Sequence, residues 1–108
     1  MSEEDVLRRI KSEIENNKII VFMKGTPEAP QCGFSAATVQ VLRAFPYPFK
    51  GVDILRDLEI RETLPDYSNW PTFPQVFIDG KLVGGCDIIH ELQDSGELAK
   101  LLEDAFKK

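Results

Sequence analysis

The chain carries two cysteines, and Cys32 sits where a thiol could do chemistry. It follows a loop, Gly25-Thr26-Pro27-Glu28-Ala29-Pro30-Gln31, whose prolines and glycine rule out continuing the preceding strand. A helix then opens at Cys32-Gly33. Sulfur at a helix N-terminus faces N–H groups without intrahelical partners and the positive end of the macrodipole. A free thiol is only a few per cent thiolate at neutral pH. Favouring the thiolate a hundredfold takes about 2.7 kcal/mol. A dipole contribution of ~1 kcal/mol and one nearby ammonium would supply it, and Lys24, at the end of the preceding strand, is the candidate. A buried, inert cysteine is the bland alternative; the position between a proline-containing loop and a helix argues against it. Ser35 stands one turn on, where a second thiol would resolve a mixed disulfide. A hydroxyl cannot exchange disulfides, so the motif is expected to work with one thiol, and Ser35 itself reads as a solvent-facing helix residue. Whether Cys86 meets Cys32 stays open, because a bridge needs Cα atoms within about 7 Å. Two thiols in a chain of this class read as reduced rather than as a structural bridge.

These residues need elements to position them. Ser2-Glu3-Glu4-Asp5 resembles a capping box with Asp at its fourth position, and Leu7, Ile10 and Ile14 predict an amphipathic helix ending near Asn16-Asn17. Lys18 to Lys24 is β-branched and continuously apolar, as a strand covered on both faces would be. The helix from Cys32-Gly33 is expected to present Phe34, Ala37, Val41 and Phe45 as its stripe and to stop at Pro46-Tyr47-Pro48. Phe49 to Ile54 reads as a second strand. Strand, helix, strand in this order predicts a right-handed crossover and a parallel pair. Leu58, Ile60 and Leu64 suggest a third helix that Pro65 ends or bends. Gln75-Val76-Phe77-Ile78, Asp79-Gly80 and Lys81-Leu82-Val83 form a hairpin, since Asp-Gly supplies the positive φ angles of a type I′ turn. Gly84-Gly85 breaks the strand, Asp87 is placed to cap a helix from Ile88, and Leu98, Leu101, Leu102 and Ala105 give a closing helix its apolar face. The order α-β-α-β-α-β-β-α-α suits an α/β chain with a thioredoxin-like fold: a four-stranded mixed sheet flanked by helices.

With 108 residues the chain is expected to be one domain, 1–108, burying roughly 65% of its unfolded surface without staples. A composition 43% hydrophobic and 29% charged is that of an ordinary globular protein. The longest apolar run, Ile19-Ile20-Val21-Phe22-Met23, is far short of the ~20 residues a bilayer span needs, so no membrane association is expected. A net charge of −5 weighs against nucleic acid, whose binding rests on clustered Lys and Arg. The acidic start, Met1-Ser2-Glu3-Glu4-Asp5, looks like neither a transit nor a signal peptide. A cytoplasmic location is therefore expected, although a processed organellar chain would look the same.

Four segments in register, Lys24-Gly25-Thr26-Pro27, Cys32-Gly33-Phe34-Ser35, Trp70-Pro71-Thr72-Phe73-Pro74-Gln75 and Gly84-Gly85-Cys86-Asp87, resemble the monothiol glutaredoxins of the Cys-Gly-Phe-Ser type from about Val6 to Phe106. The resemblance implies a glutathione site. In it Lys24 and Arg61 contact the glycine carboxylate. Thr72-Phe73-Pro74 is similar to the family's cis-proline turn, which leaves the backbone of Phe73 to pair with the cysteinyl part. Cys86 and Asp87 take the γ-glutamyl end. Each residue has a plainer reading. Lys24 would be a strand-end charge, Arg61 a partner for Asp57 or Glu62, Trp70 packing, Gly84-Gly85 a tight turn, and the sole histidine, His90, a surface residue. The joint arrangement favours the glutathione site.

The resemblance further implies a [2Fe–2S] cluster held in a homodimer by Cys32 and glutathione from each side. Such a carrier serves iron–sulfur cluster biogenesis and transfer, with BolA-like proteins and apo iron–sulfur proteins as partners. The alternative is a glutathione-dependent thiol–disulfide oxidoreductase (deglutathionylation) using Cys32 alone, which the family's longer loop before the cysteine disfavours. A sensor forming a Cys32–Cys86 disulfide is a third reading.

Overall fold

Five consecutive buried residues, Ile19–Met23, form β1, and the rest of the molecule is arranged around them. In a computed structural model describing residues 2–107, the order is α1 (Glu3–Asn16), β1, α2 (Gly33–Arg43), β2 (Lys50–Asp53), α3 (Leu58–Ser68), β3 (Gln75–Ile78), β4 (Lys81–Gly84), α4 (Cys86–Ser95) and α5 (Glu97–Phe106). The sheet runs β2-β1-β3-β4, with β1–β2 parallel and the other two pairs antiparallel. Side chains alternate across a strand. Ile19, Val21 and Met23, with Val76 and Ile78 of β3, therefore pack under α2, α4 and α5, whereas Ile20, Phe22 and Phe77 face α1 and α3. This is the thioredoxin-like fold, a mixed sheet between two helical layers. Among the described residues, no helix is long and apolar enough to cross a membrane.

Ser2 Oγ accepts from Asp5 N–H at 3.2 Å, the cap its sequence implies. The buried stripe of α1 is Val6, Ile10 and Ile14, starting one residue before Leu7, which is half-buried. The hairpin turn has φ of 52° at Asp79 and 82° at Gly80, as its dipeptide predicts.

Three expectations change. The buried face of α2 is Ser35, Thr38, Val39, Val41 and Leu42, while Phe34 is 63% exposed. Apolar spacing misplaces this face because two of its residues are polar. Both hydroxyls bond locally, Ser35 Oγ accepting Lys24 N–H at 3.1 Å and Thr38 Oγ1 donating to Phe34 C=O at 2.9 Å, so burial leaves neither unmet. Second, α3 runs through Pro65 to Ser68. Its last turn is held by Ser68 Oγ on Leu64 C=O at 3.0 Å, and Pro65 C=O accepts from both Asn69 and Trp70. Third, α4 begins at Cys86 with Gly85 as N-cap, so Asp87 lies in the first turn rather than at the cap. The first helical bond, Ile89 N–H to Gly85 C=O at 3.0 Å, sets that boundary.

Candidate functional site

The end of β1, the start of α2, the turn before β3 and the start of α4 enclose a cavity of about 600 Å³. All seven residues singled out in the sequence line it: Lys24, Cys32, Arg61, Thr72, Phe73, Cys86 and Asp87. Phe34, Pro65 and Trp70 complete its apolar walls.

Cys32 is the N-cap of α2, with extended backbone (φ −150°, ψ 139°). A capping side chain ordinarily offers an oxygen to the N–H of the second or third helical residue. Here sulfur stands in that place, and no hydrogen bond of ordinary geometry caps the helix. The nearby donors act on the thiolate instead. The Ser35 N–H is the largest influence holding the Cys32 thiol below its usual range, partial burial pushes the other way, and the Phe34 N–H, the Lys24 ammonium and the Ser35 hydroxyl add to the lowering. Lys24 thus contributes as expected but ranks behind the amides of the first turn. The solvent-facing role expected of Ser35 is wrong: it is fully buried, linking the Lys24 backbone to the thiol.

Lys24 and Arg61 make no ion pair among the described residues, which leaves two cations facing the cavity. Asp57, a suggested partner for Arg61, is instead engaged by Arg9 and caps α3 through Ile60 N–H at 3.2 Å. On the far wall the Phe73–Pro74 peptide is cis. Gln75, fully buried at the start of β3, donates from Nε2 to Trp70 C=O at 2.8 Å and so braces the turn that presents Thr72 and Phe73. The signal for Gln75 was a lone amide heading an otherwise apolar strand. Ser35 gave no such signal, because it lies beside rather than within the apolar stripe.

At the start of α4, Gly85 has no side chain to cap the helix, and the first turn opens on the cavity. Cys86 and Cys32 are both free thiols. His90, expected at the surface, is half-buried, with Nδ1 2.8 Å from Cys86 C=O and 3.5 Å from Cys86 Sγ.

Residues 19–83 match the glutaredoxin family. Glutaredoxin 4 of Pasteurella multocida is 52% identical over 104 residues, covering 96% of this chain and 95% of that protein. The probable monothiol glutaredoxin 2 of Rickettsia typhi is 48% identical over 107 residues, covering 99% and 96%. Reduced apo GrxS14 from poplar, solved in solution, superposes with a TM-score of 0.88 at 42% identity over the full length of both chains. With its single cysteine in Cys32-Gly33-Phe34-Ser35, the chain belongs to the glutaredoxin family, in its monothiol branch.

Proposed function

We propose that the chain acts as a single glutaredoxin domain, binds glutathione in this cavity, and with a second chain carries a [2Fe–2S] cluster for iron–sulfur cluster biogenesis and transfer. One observation carries the reading: the uncapped start of α4 and the activated Cys32 thiol open on the same cavity, with Lys24 and Arg61 beside it. Its volume of about 600 Å³ lies within the range of small-molecule sites. A tripeptide with a carboxylate at each end asks for cations at one end and free N–H donors at the other. In this assignment Lys24 and Arg61 take the glycine carboxylate, the guanidinium suiting a planar anion. The Phe73 backbone pairs with the cysteinyl part. The first turn of α4 takes the γ-glutamyl carboxylate, with Asp87 for its ammonium and Cys86 beside them.

A [2Fe–2S] cluster takes four thiolate ligands. Cys32 from each of two chains supplies two, and the thiol of one glutathione per chain supplies the rest. The cluster is cargo and bridges the homodimer. A cytoplasmic site of action, handover to apo iron–sulfur proteins and pairing with BolA-like proteins belong to the same reading. The lowered, half-exposed Cys32 thiol would also suit attack on a mixed disulfide, which is the oxidoreductase reading.

Anaerobic reconstitution with iron and sulfide, with and without glutathione, tests the proposal. It expects a coloured dimer near 24 kDa, twice 12.2 kDa, only when glutathione is present, reverting to a colourless monomer on chelation. Lys24→Glu should weaken it by about 2–5 kcal/mol if the contact is desolvated. An equally good dimer without glutathione would overturn the ligand set. A colourless monomer throughout would favour the oxidoreductase.

A further inference from the structure

The backbone of Lys24 and Gly25 is held at three points. The Lys24 N–H donates to Ser35 Oγ at 3.1 Å, its C=O accepts Gln31 N–H at 2.9 Å, and the next N–H, of Gly25, donates to Asp53 Oδ1 at 2.9 Å. Nothing in the sequence pattern singles out Asp53. It ends β2, and the following Ile54 N–H reaches Met23 C=O at 2.9 Å, so the carboxylate stands beside the end of β1. The same Oδ1 also accepts Leu55 N–H at 2.9 Å. The Asp53 side chain is 14% exposed, and its nearest cation, Arg56 Nε at 3.9 Å, belongs to a side chain 90% exposed. This carboxylate therefore serves backbone donors far more than it serves an ion pair.

Two residues earlier on β2, Gly51 meets the same loop. A Cβ at Gly51 would lie 2.4 and 2.5 Å from Pro27 Cγ and Cδ, so only glycine lets the Pro27 ring seat there. The loop is also cross-linked to itself: Thr26 and Ala29 exchange backbone hydrogen bonds at 3.3 and 3.0 Å, and Gly25 bridges to Pro30. Gly25 takes φ 89°, with Ala29 O and Gln31 N within 2.7 Å of where a Cβ would be. A segment closed in this way is placed by its outside contacts, and β2 supplies two of them.

We propose that Asp53, assisted by Gly51, is a positioning residue for the thiol site: β2 seats loop 25–31 and thereby fixes where Lys24 and Ser35 stand relative to Cys32. Asp53 does not line the cavity and is not among the influences on the Cys32 sulfur; it acts through the Gly25 N–H. Coulombic attraction falls with separation and a hydrogen bond with angle, so a shift of the Lys24–Gly25 peptide weakens both the ammonium and the Ser35 hydroxyl as partners of the thiolate. The inference stands without the cluster; only its glutathione readout rests on the function proposed above.

The test uses the full chain with Cys86→Ser throughout, so that Cys32 alone reports, and measures iodoacetamide alkylation against pH together with thermal unfolding. Asp53→Asn keeps an acceptor for both N–H groups while removing the charge, and Asp53→Ala removes both. Asp53→Ala is expected to move the alkylation profile to higher pH, slowing the reaction at pH 7 by about three- to tenfold. Asp53→Asn should stay within about twofold of the parent, and Gly51→Ala, which alters no group near the sulfur, should shift the profile in the same direction as Asp53→Ala. A cooperatively folded Asp53→Ala whose profile superimposes on the parent overturns the proposal, as does an equal shift in the Asn and Ala variants. Should Asp53→Ala not fold, Gly51→Ala decides, and an unmoved profile there overturns it. Glutathione affinity measured on the same proteins separates the two readings: a shifted profile with unchanged affinity leaves Asp53 as the positioning residue and removes Lys24 from the glutathione site.

Discussion

Two helices of this protein start with a cysteine on the same cavity, and they put their free amides to different uses. In α2 the cysteine is the N-cap itself, and the N–H groups of Ser35 and Phe34 are directed to its own sulfur. In α4 the cap is Gly85 and Cys86 is the first helical residue, its sulfur beside His90 Nδ1 at 3.5 Å. Side chains of helical residues point back along the helix, away from the amides that follow them. One position of offset thus decides whether the first-turn amides are directed to the helix's own sulfur or left open on the cavity. The dipole is common to both; the register of the cysteine against it is not.

Exchanging the thiols one at a time gives the largest contrast. Cys32→Ser should abolish the visible absorption of a reconstituted [2Fe–2S] centre while leaving thermal unfolding cooperative, because a hydroxyl is a poor substitute for a thiolate ligand. Cys86→Ser should keep most of that absorption. Equal losses in the two variants would mean that both helix starts supply ligands, and the division of labour between them would collapse.

Ser35 tests the activating side. Ser35→Ala withdraws the acceptor of Lys24 N–H, leaving a part-buried donor unpaired, and should cost about 1–3 kcal/mol in urea unfolding. It should also move Cys32 alkylation to higher pH, since the hydroxyl favours the thiolate. The pH dependence of stability has a definite sign. The folded thiol titrates below its unfolded counterpart, so its contribution is fully present above the unfolded value near ~8.5 and is lost as pH falls through the lowered folded value. The stability advantage of the parent over Cys32→Ser should therefore grow between pH 6 and pH 9. An advantage that shrinks over that interval would contradict the amide account.

Apolar runs and turn residues made the frame of this fold legible, down to the Asp79-Gly80 turn and the parallel β1–β2 pair. They failed where burial is polar. Ser35, Thr38 and Gln75 are each fully buried, and the hydroxyls and the Gln75 Nε2 each find a partner distant from any apolar pattern or hidden within a helical turn. Pro65 misleads for a related reason, since donors beyond it, the Ser68 hydroxyl and the Asn69 and Trp70 N–H groups, close the turn on the carbonyls of Leu64 and Pro65. At the site, the family resemblance drew Lys24, Arg61, Phe73 and Asp87 to one cavity, which spacing alone would not. Asp53 and Gly51 were missed because they act on the loop from the next strand, a relation that exists only once β2 lies beside β1.

The smallest predicted effect tests the proposed binding side alone. Asp87 is exposed in the first turn of α4, where a carboxylate favours the helix by about 0.3–1 kcal/mol, so Asp87→Asn should lower thermal stability slightly without ligand. If Asp87 meets the ammonium of the γ-glutamyl group, the same change should weaken glutathione by about two- to fivefold, the scale of an exposed ion pair. The effect stays small because the free amides of α4 remain in place for the neighbouring carboxylate. Cys32 should not notice: the influences on its thiol come from Ser35, Phe34, Lys24 and its own burial, none of them from α4. Calorimetric titration with glutathione and the alkylation profile of Cys32, measured on one preparation, separate these outcomes. Weakened binding with an unmoved profile is the expected pair. A profile that moves as far as the affinity would mean that the two helix starts are electrostatically one site, with activation and binding no longer assigned to separate ends of the cavity.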